Sequence, residues 1–310
     1  MTREERLKNI AVPCGPVDVV LDTDAFNEAD DQFAITYLLS CREKLTTRAL
    51  YAAPFHNANS KGPADGMERS YEELHRLLPL LGEEVPTFRG ATSFLPDEGT
   101  PVLSDAARDL AERAMTYSLE RPLYVVGIGA ITNIASAILL NPEIVERIVV
   151  VWLGGHALHY HDTREFNMRQ DIAAARVVMS SGAPFVQLPC RGVVSALTLS
   201  RAEIDLWLKG KGALADHLAA GVYRYVERYE KPDNIWTRPI WDVAPIAWLM
   251  NDGDRFMMMR TVPLHLPTYD NQYTLLPNGD PIGYVYHINR DEVMTDMIRR
   301  ILKMQAQAQA

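Results

Sequence analysis

Short apolar runs alternate with amphipathic stretches through residues 17–190, and this alternation limits the possible folds more than any other feature of the chain. The apolar runs predict buried strands at 17–21, 49–53, 87–89, 123–128, 148–153 and 185–188. The stretches between them have helical spacing and predict helices at 31–39, 67–78, 104–117, 133–140 and 171–180. Strands that alternate with helices build a mostly parallel sheet covered on both faces, so the sequence predicts an α/β fold.

The pattern changes after residue 195. Ser200 and Glu203 form a capping box, which predicts that a helix begins there. Helical spacing recurs in three later segments, at 214–228, 242–250 and 291–304. Residues 256–289 combine β-type residues with a Pro277-Asn278-Gly279 turn and predict a hairpin. Because no linker or repeat divides the chain, we expect one domain over residues 1–310 with an α-rich insertion near 195–235.

Charge and cysteine content exclude several classes of protein. The chain has 31 Lys and Arg against 40 Asp and Glu, and it has no basic run that could form a nucleic-acid-binding patch. Its 3 cysteines, Cys14, Cys41 and Cys190, lie far apart, which argues against a disulfide framework or a cysteine zinc site. The first residues lack the apolar segment of a signal peptide, and the apolar runs are too short to cross a bilayer. We therefore expect a cytoplasmic protein with neither a nucleic-acid nor a membrane partner.

An acidic loop follows the first predicted strand. Five of the ten residues at 22–31 are acidic, namely Asp22, Asp24, Glu28, Asp30 and Asp31. In open α/β sheets, ligands bind beyond the carboxyl ends of the strands, where this loop lies. Carboxylates this close repel one another unless a cation lies among them, and Ca²⁺ and Mg²⁺ prefer such oxygen ligands. The alternative is a solvated acidic turn that caps the next helix.

Three further polar segments lie where other predicted elements begin or end. Thr132 and Asn133 follow the strand at 123–128, Asn167 follows the strand at 148–153, and Asp242 stands at a predicted helix start. Each of these residues alone could be an ordinary cap or turn residue. Together with the acidic loop, they predict a single pocket at the carboxyl edge of the sheet.

With these motifs in hand, the sequence resembles the inosine–uridine-type nucleoside hydrolase family. The resemblance covers roughly residues 17–250 and rests on the order of the motifs. In chain order they are Asp22-Thr23-Asp24, Asp30-Asp31, the Gly-x-x-Thr-Asn segment at 129–133, Gly154-Gly155, Glu165-Phe166-Asn167, the Asp and Ala-Ala pair at 171–175, and Asp242. The resemblance implies an open, mostly parallel Rossmann-like sheet with helices on both faces. It also implies hydrolysis of the N-glycosidic bond of ribonucleosides to free base and ribose, as in purine or pyrimidine salvage.

The resemblance further implies a Ca²⁺ cofactor and the residues that hold it. Asp24, Asp31 and Asp242 would bind the ion through their carboxylates, and Thr132 through its main-chain carbonyl. Asp24 would also take the proton of the attacking water. Such a site suits the reaction, because an anionic, oxygen-rich pocket stabilises the oxocarbenium-like sugar that forms when the bond breaks.

The substrate side of the site follows from the same resemblance. Asp30, Glu165 and Asn167 would bind the ribose hydroxyls. Family members are often homodimers or homotetramers, which gives the expected oligomeric state. A ribonucleoside is therefore the expected small-molecule partner.

Two departures from the family pattern concern the substrate pocket. Residues 25–29 make the acidic loop two residues longer than usual, so Asn27 or Glu28 could reach the metal or the sugar. Trp241 occupies the position where many members have a His that protonates the leaving base, and an indole cannot do this. Trp241 could instead stack on the base or pack in the core. Candidate replacements for the acid are His159, His161 and Tyr225, together with the neighbouring Tyr223 and Tyr229.

Two other functions remain open from the sequence. The Asp-x-Asp after the first strand also occurs in phosphohydrolases, but Phe26 stands where those enzymes carry a Thr. The replacement of the acid by Trp241 would also fit a nucleoside- or ribose-binding member of the family with impaired catalysis. Three His residues within 156–161 could suggest a transition-metal site, although no partner ligands are evident and a surface loop is the more usual explanation.

Overall fold

The computed structural model describes residues 1–229, 231 and 234–308. Its strands are β1 (Val17–Thr23), β2 (Leu45–Ala52), β3 (Thr87–Arg89), β4 (Leu123–Gly127), β5 (Ile148–Leu153), β6 (Phe185–Leu188), β7 (Thr198–Ser200), β8 (Thr237–Pro239), β9 (Met257–Val262), β10 (His265–Pro267), β11 (Tyr273–Leu275) and β12 (Ile282–Ile288). Its helices are α1 (Arg3–Asn9), α2 (Asp31–Ser40), α3 (Pro63–Leu81), α4 (Asp105–Arg113), α5 (Thr132–Leu140), α6 (Phe166–Gln170), α7 (Ile172–Ser180), α8 (Arg201–Trp207), α9 (Ala213–Tyr229), α10 (Val243–Leu249) and α11 (Arg290–Ala308).

Eight of these strands form one central sheet in the order β3-β2-β1-β4-β5-β6-β12-β9. Neighbouring strands from β3 to β12 run parallel, and β9 pairs with β12 in the antiparallel direction at one edge. The predicted mostly parallel α/β fold is therefore confirmed. Its consequence for function is that β1, β4, β5 and β6 all end at the same edge of the sheet.

Alternate side chains of the central strands pack into two separate cores. In β4, Tyr124 and Val126 face one core with α2, α10 and α11, while Leu123 and Val125 face the other with α4, α5 and α7. The side chains on both faces of these strands are buried, which explains why the strand sequences are continuously apolar and do not alternate between apolar and polar residues. Helices therefore cover both faces of the sheet, as predicted.

The predicted elements are present, and the differences lie mostly at their ends. Strand β2 begins at Leu45, because its first residues pair with β1 although they are polar and partly exposed. The helix predicted from Ser104 has Ser104 as its N-cap, but its last turn, Ala114–Thr116, is a 3₁₀-helix. The capping box of Ser200 and Glu203 is present at the start of α8.

The region predicted as one hairpin contains two antiparallel pairs, one nested inside the other. Strand β9 pairs with β12, and between them β10 pairs with β11. The turn of the inner pair lies at 268–272, whereas Pro277-Asn278-Gly279 connects β11 to β12. The turn signal was therefore correct about a reversal of the chain but wrong about which strands it joins.

Helices α8 and α9 lie between β7 and β8, which pair with each other in a small two-stranded sheet. This segment corresponds to the predicted α-rich insertion near 195–235, of which residues 230, 232 and 233 lie outside the described residues. The single-domain assignment stays a prediction. Among the described helices, none combines the length and apolar character needed to span a membrane.

Candidate active site

A cavity of about 430 Å³ opens at the carboxyl edge of the sheet. Its lining comes from the acidic loop after β1, the loops after β5 and β6, helix α9 and the start of α10. It includes nine of the predicted site residues, namely Asp24, Asn27, Asp30, Asp31, Glu165, Asn167, Tyr225, Trp241 and Asp242. Side chains that are distant in the sequence therefore meet in one pocket, as the motif order predicted.

Four buried carboxylates form the floor of this cavity. Asp30, Asp31 and Asp242 each offer an oxygen, and the three oxygens lie within 4.8 Å of one another. Burial, followed by repulsion from Asp31 and Asp30, raises the pKa of Asp24 well above its usual range. Burial and the charge of Asp30 raise the pKa of Asp31 to about 8. These shifts follow from the burial of several carboxylates close together, an arrangement that a bound cation would stabilise.

Only part of this cluster is satisfied by hydrogen bonds from the chain. The Thr23 hydroxyl donates to Asp31 Oδ1 at 2.5 Å, and the Trp241 backbone N–H donates to Asp30 Oδ2 at 3.2 Å. Asp24 Oδ2 and Asp30 Oδ1 are buried and have no hydrogen-bond partner within the described part of the chain. Convergent carboxylate oxygens that are buried and lack hydrogen bonds match what a hard divalent cation requires, so the residues present fit a Ca²⁺ ion.

The segment predicted to supply the metal-binding carbonyl is held by side-chain hydrogen bonds. The Thr132 hydroxyl donates to Asp171 at 2.7 Å, and Asn133 Nδ2 donates to Asp22 at 2.7 Å. Asn133 Oδ1 accepts the backbone N–H of Ala91 at 2.7 Å. The side chains of this motif therefore fix the start of α5, and Thr132 itself is fully buried and outside the cavity lining.

Glu165 and Asn167, the two ribose-binding candidates after β5, also organise the backbone. The Glu165 carboxylate accepts the backbone N–H groups of Gly155, Asn167 and Met168, each at 2.9 Å. A carboxylate has about four acceptor sites, so it keeps room for a ligand hydroxyl. Gly155 has φ +75°, and a Cβ there would lie 2.1 Å from the Tyr273 hydroxyl, which explains the glycine.

Asn167 is oriented by its own amide group. Its Nδ2 donates to the carbonyls of Ile128 at 3.1 Å and Leu153 at 3.0 Å. These bonds tie the ends of two neighbouring strands together. They leave the amide oxygen of Asn167 as the group that can accept a hydrogen bond in the cavity.

The longer acidic loop is anchored by groups that the sequence did not reveal. Asn27 Oδ1 accepts from Asn57 Nδ2 at 2.5 Å, and its carbonyl accepts from Asn59 Nδ2 at 2.7 Å. Glu28 forms an ion pair with Arg238, and Arg238 also lies 3.7 Å from Asp30. Arg238 is 5% exposed, so this buried cation partly offsets the acidic floor.

An aromatic wall flanks the cavity on the same side as Arg238. The Arg238 guanidinium lies 3.8 Å from the Tyr225 ring centroid and 4.8 Å from that of Trp241. Burial and the charge of Glu28 raise the pKa of Tyr225, so its hydroxyl stays protonated at neutral pH. Trp236 lies outside the lining and packs edge-on against Tyr223, whose hydroxyl donates to Asp205.

The predicted His candidates for the leaving-group acid lie away from the cavity. His159 is exposed and outside the lining, and His161 is 88% exposed beside Asp162. His156, three residues after β5 ends at Leu153, lines the cavity instead. Burial, and secondarily the charge of Arg191, lowers the pKa of His156 to about 4, so the ring is neutral at pH 7. Of the candidates His159, His161 and Tyr225, only Tyr225 lines the cavity, and the neighbouring Tyr229 lines it as well.

Several lining residues were missed by the sequence analysis. They include Asn57, Asn59, Arg164, Arg169 and Arg191. For Arg164 and Arg169 a signal existed, because they flank the Glu165-Phe166-Asn167 motif. For Asn57 and Asn59 none existed, since their loop after β2 carries no recognisable pattern.

Comparison with known proteins agrees with this geometry. The family model "Inosine-uridine preferring nucleoside hydrolase" matches residues 19–275. A pyrimidine-specific ribonucleoside hydrolase, RihA, of Salmonella enteritidis is 30% identical over 164 residues, which is 51% of this chain and 50% of that protein. The match thus spans about half the length of this curated relative.

Two solved structures share the fold. The purine-preferring ribonucleoside hydrolase from Gardnerella vaginalis has a TM-score of 0.76 at 19% identity, over 93% of this chain and 99% of that one. The plant nucleoside hydrolase PpNRh1 has a TM-score of 0.74 at 17% identity, over the same shares of the two chains. At this level of identity, the two structures support the fold alone.

Proposed function

We propose, since this chain belongs to the inosine-uridine preferring nucleoside hydrolase family, that it hydrolyses the N-glycosidic bond of ribonucleosides to free base and ribose with Ca²⁺ as its cofactor. The observation that carries this proposal is the buried carboxylate floor. Oxygens of Asp30, Asp31 and Asp242 converge within 4.8 Å, and Asp24 Oδ2 and Asp30 Oδ1 are buried and accept no hydrogen bond from the described residues. A site of this kind stabilises positive charge, which the reaction develops on the sugar.

The ion would be held by the carboxylates of Asp24, Asp31 and Asp242 and by the main-chain carbonyl of Thr132. This set is supported by the family resemblance and by the oxygen-only chemistry of the floor. Bound Ca²⁺ would lower the pKa of the attacking water and would coordinate ribose hydroxyls.

The chain's own residues then have distinct tasks. Asp24, with its buried Oδ2 free, accepts the proton of the attacking water. Asp30, Glu165 and Asn167 bind the ribose hydroxyls and orient the anomeric carbon. Asn27 sits at the cavity edge, where it can contact the sugar while it anchors the long loop.

Protonation of the leaving base is the step in which this chain departs from its family. Trp241 offers a stacking surface and carries no transferable proton. We assign the proton to the Tyr225 hydroxyl, because Tyr225 faces the cavity and remains protonated at neutral pH. His159 and His161 would have to move to reach the base, since both lie outside the lining.

A nucleoside panel tests the proposal. Inosine, uridine, adenosine and cytidine are incubated with the protein and Ca²⁺, and free base and free sugar are quantified by chromatography. We expect both products in equal amounts, and an Asp24→Asn variant should lose them. Release of inorganic phosphate from phosphomonoesters would favour the phosphohydrolase alternative, and saturable nucleoside binding without product would favour a binding protein.

Two further expectations concern the oligomeric state and the location of the protein. A homodimer or homotetramer is supported by the family resemblance, and light scattering after size exclusion measures it. The cytoplasmic location stays a prediction from the cysteine content and the sequence of the first residues.

A further inference from the structure

Three arginines line the same cavity as the acidic floor, but at its mouth. Arg164 and Arg169 flank the Glu165-Phe166-Asn167 segment, and Arg191 follows Cys190 in the loop after β6. All three side chains are exposed. The lining therefore separates charge by depth, with carboxylates buried at the floor and guanidinium groups at the rim.

None of these arginines forms an ion pair among the described residues, although Arg164 and Arg169 lie within electrostatic range of Asp162 and Glu165. Arg169 contacts an aromatic ring, with its guanidinium 5.4 Å from the Phe166 centroid. Arginines elsewhere commonly pair, as Arg176 does with Glu98 at 2.6 Å and Arg255 with Glu292 at 2.8 Å. Three unpaired cations on one rim concentrate positive potential, which attracts an anionic ligand group.

The two flanks of the cavity differ in chemistry. The flank formed by α9 and the start of α10 carries the aromatic residues Tyr225, Tyr229 and Trp241. The chain segments after β5 and β6 carry the arginines, together with Phe166. A base that stacks on the aromatic flank leaves the arginine flank for the other end of the substrate.

The chemistry of a nucleoside identifies which atom could carry the anion. In the proposed function, the base leaves from C1′ and the vicinal 2′- and 3′-hydroxyls face the acidic floor. The 5′-oxygen is the remaining position, and a plain 5′-hydroxyl would give three guanidinium groups nothing to neutralise. Guanidinium groups bind phosphate oxygens in a fork geometry that suits a terminal phosphate.

We propose that the cavity takes ribonucleosides that carry a 5′-phosphate, so that the products are the free base and ribose 5-phosphate. This inference rests on the proposed function and narrows its substrate class. In the step, the C1′–N bond breaks and the water oxygen bonds to C1′, keeping one proton as the new anomeric hydroxyl. Asp24 accepts the other water proton, Tyr225 donates a proton to the leaving base, return of the proton from Asp24 to Tyr225 restores both groups, and the phosphate is unchanged.

Matched substrate pairs provide the first test. The ratio of kcat/KM for inosine 5′-monophosphate over inosine, and for uridine 5′-monophosphate over uridine, is measured for the wild type and for Arg164→Gln/Arg169→Gln/Arg191→Gln. We expect this ratio to be at least about 10 in the wild type, because a charged hydrogen bond strengthens binding about tenfold or more. In the triple variant the ratio should fall by at least about tenfold. A control removes three exposed arginines outside the lining, Arg3, Arg121 and Arg299, and should keep the wild-type ratio. A wild-type ratio at or below 1, or equal effects of both triple variants, overturns the proposal.

A binding measurement separates this proposal from the proposed function. Calorimetry compares ribose 5-phosphate with ribose, in the wild type and in the triple variant. Tighter binding of ribose 5-phosphate that the triple variant loses supports the phosphate subsite even if no nucleoside or nucleotide is cleaved. Equal binding of the two sugars overturns it even if nucleosides are cleaved.

Free phosphate is the other possible source of the same chemistry. Inorganic phosphate should compete with the phosphorylated substrates and leave inosine cleavage unaccelerated. If it accelerates inosine cleavage and ribose 1-phosphate appears, the arginines bind a second reactant, and the proposal of a 5′-phosphate subsite is overturned.

Discussion

Removing the Arg238 charge should destabilise the fold strongly, because the ion pair that it forms is buried. Arg238 is 5% exposed, pairs with Glu28 and lies 3.7 Å from Asp30. At that distance and an effective dielectric constant of about 20, one unit pair interacts by about 4–5 kcal/mol. Breaking one side of a buried pair costs about 3–5 kcal/mol, because it leaves an uncompensated charge. We therefore expect Arg238→Met to lose about 3–5 kcal/mol.

The loss should follow from charge and not from volume. Arg238→Lys keeps the charge and gives up mainly the stacking on two rings, so it should cost only about 1–2 kcal/mol. Glu28→Gln added to Arg238→Met should recover at least about 1 kcal/mol, because it removes the carboxylate left unpaired. Arg255→Met, which breaks an exposed ion pair with Glu292, is the matched control and should cost less than about 1 kcal/mol.

Urea denaturation with saturating Ca²⁺ at pH 8 measures these differences, since urea does not screen charge as guanidinium chloride would. At this pH Glu28 is ionised, because burial and Asp30 raise its pKa only to about 6. The reasoning fails if Arg238→Met stays within about 1 kcal/mol of the wild type. It also fails if the double variant is no more stable than the single one.

Three further outcomes follow from the site. Tyr225→Phe should lower kcat/KM for inosine by about 100-fold or more. It should barely affect cleavage of a nitrophenyl riboside, because that leaving group needs no acid. Equal losses on both substrates would show that Tyr225 does not protonate the leaving base. A 2′-deoxynucleoside should be a substrate about 10⁴-fold poorer than its ribo counterpart, and comparable kcat/KM values would contradict the placement of the ribose-binding residues. The pKa of His156 is about 4 in the folded protein and 6.5 in the unfolded chain. Between these values the unfolded state binds one more proton than the folded state, so stability is lost as the pH falls from about 6.5 to 4. In pH-dependent unfolding, His156→Gln should flatten this slope, whereas the exposed His161→Gln should leave it unchanged.

The fold was predictable because buried parallel strands leave a strong local signal. Strands 148–153 and 185–188 were predicted with the bounds that the structure has, since both are apolar throughout and bounded by loops. The nested pairs at 257–288 were not predicted. Strands of three residues, such as β10 and β11, are too short to show a period of their own.

The candidate site was predictable in outline and not in its charge balance. The acidic loop could be predicted to line a cavity, because ligand-binding loops follow strand ends at one edge of the sheet. The three oxygens that lie within 4.8 Å of one another belong to Asp30, Asp31 and Asp242, whereas the predicted metal ligands are Asp24, Asp31 and Asp242. The partnership of Glu28 with Arg238 spans 210 residues of sequence and rests on the pairing of two short strands, so no local spacing encodes it. Glu165 carries a double role, as helix cap and ribose candidate, of which the motif revealed only the second.

Calcium titration tests the central claim most directly. Protein stripped with a chelator is titrated with Ca²⁺ by calorimetry, for the wild type, Asp242→Asn and the matched control Asp105→Asn, an acidic residue outside the cavity lining. The account predicts about one Ca²⁺ per chain in the wild type and the control, none in Asp242→Asn, and recovery of inosine cleavage in step with the bound ion. Full cleavage by the stripped protein, or unchanged Ca²⁺ binding in Asp242→Asn, would contradict it.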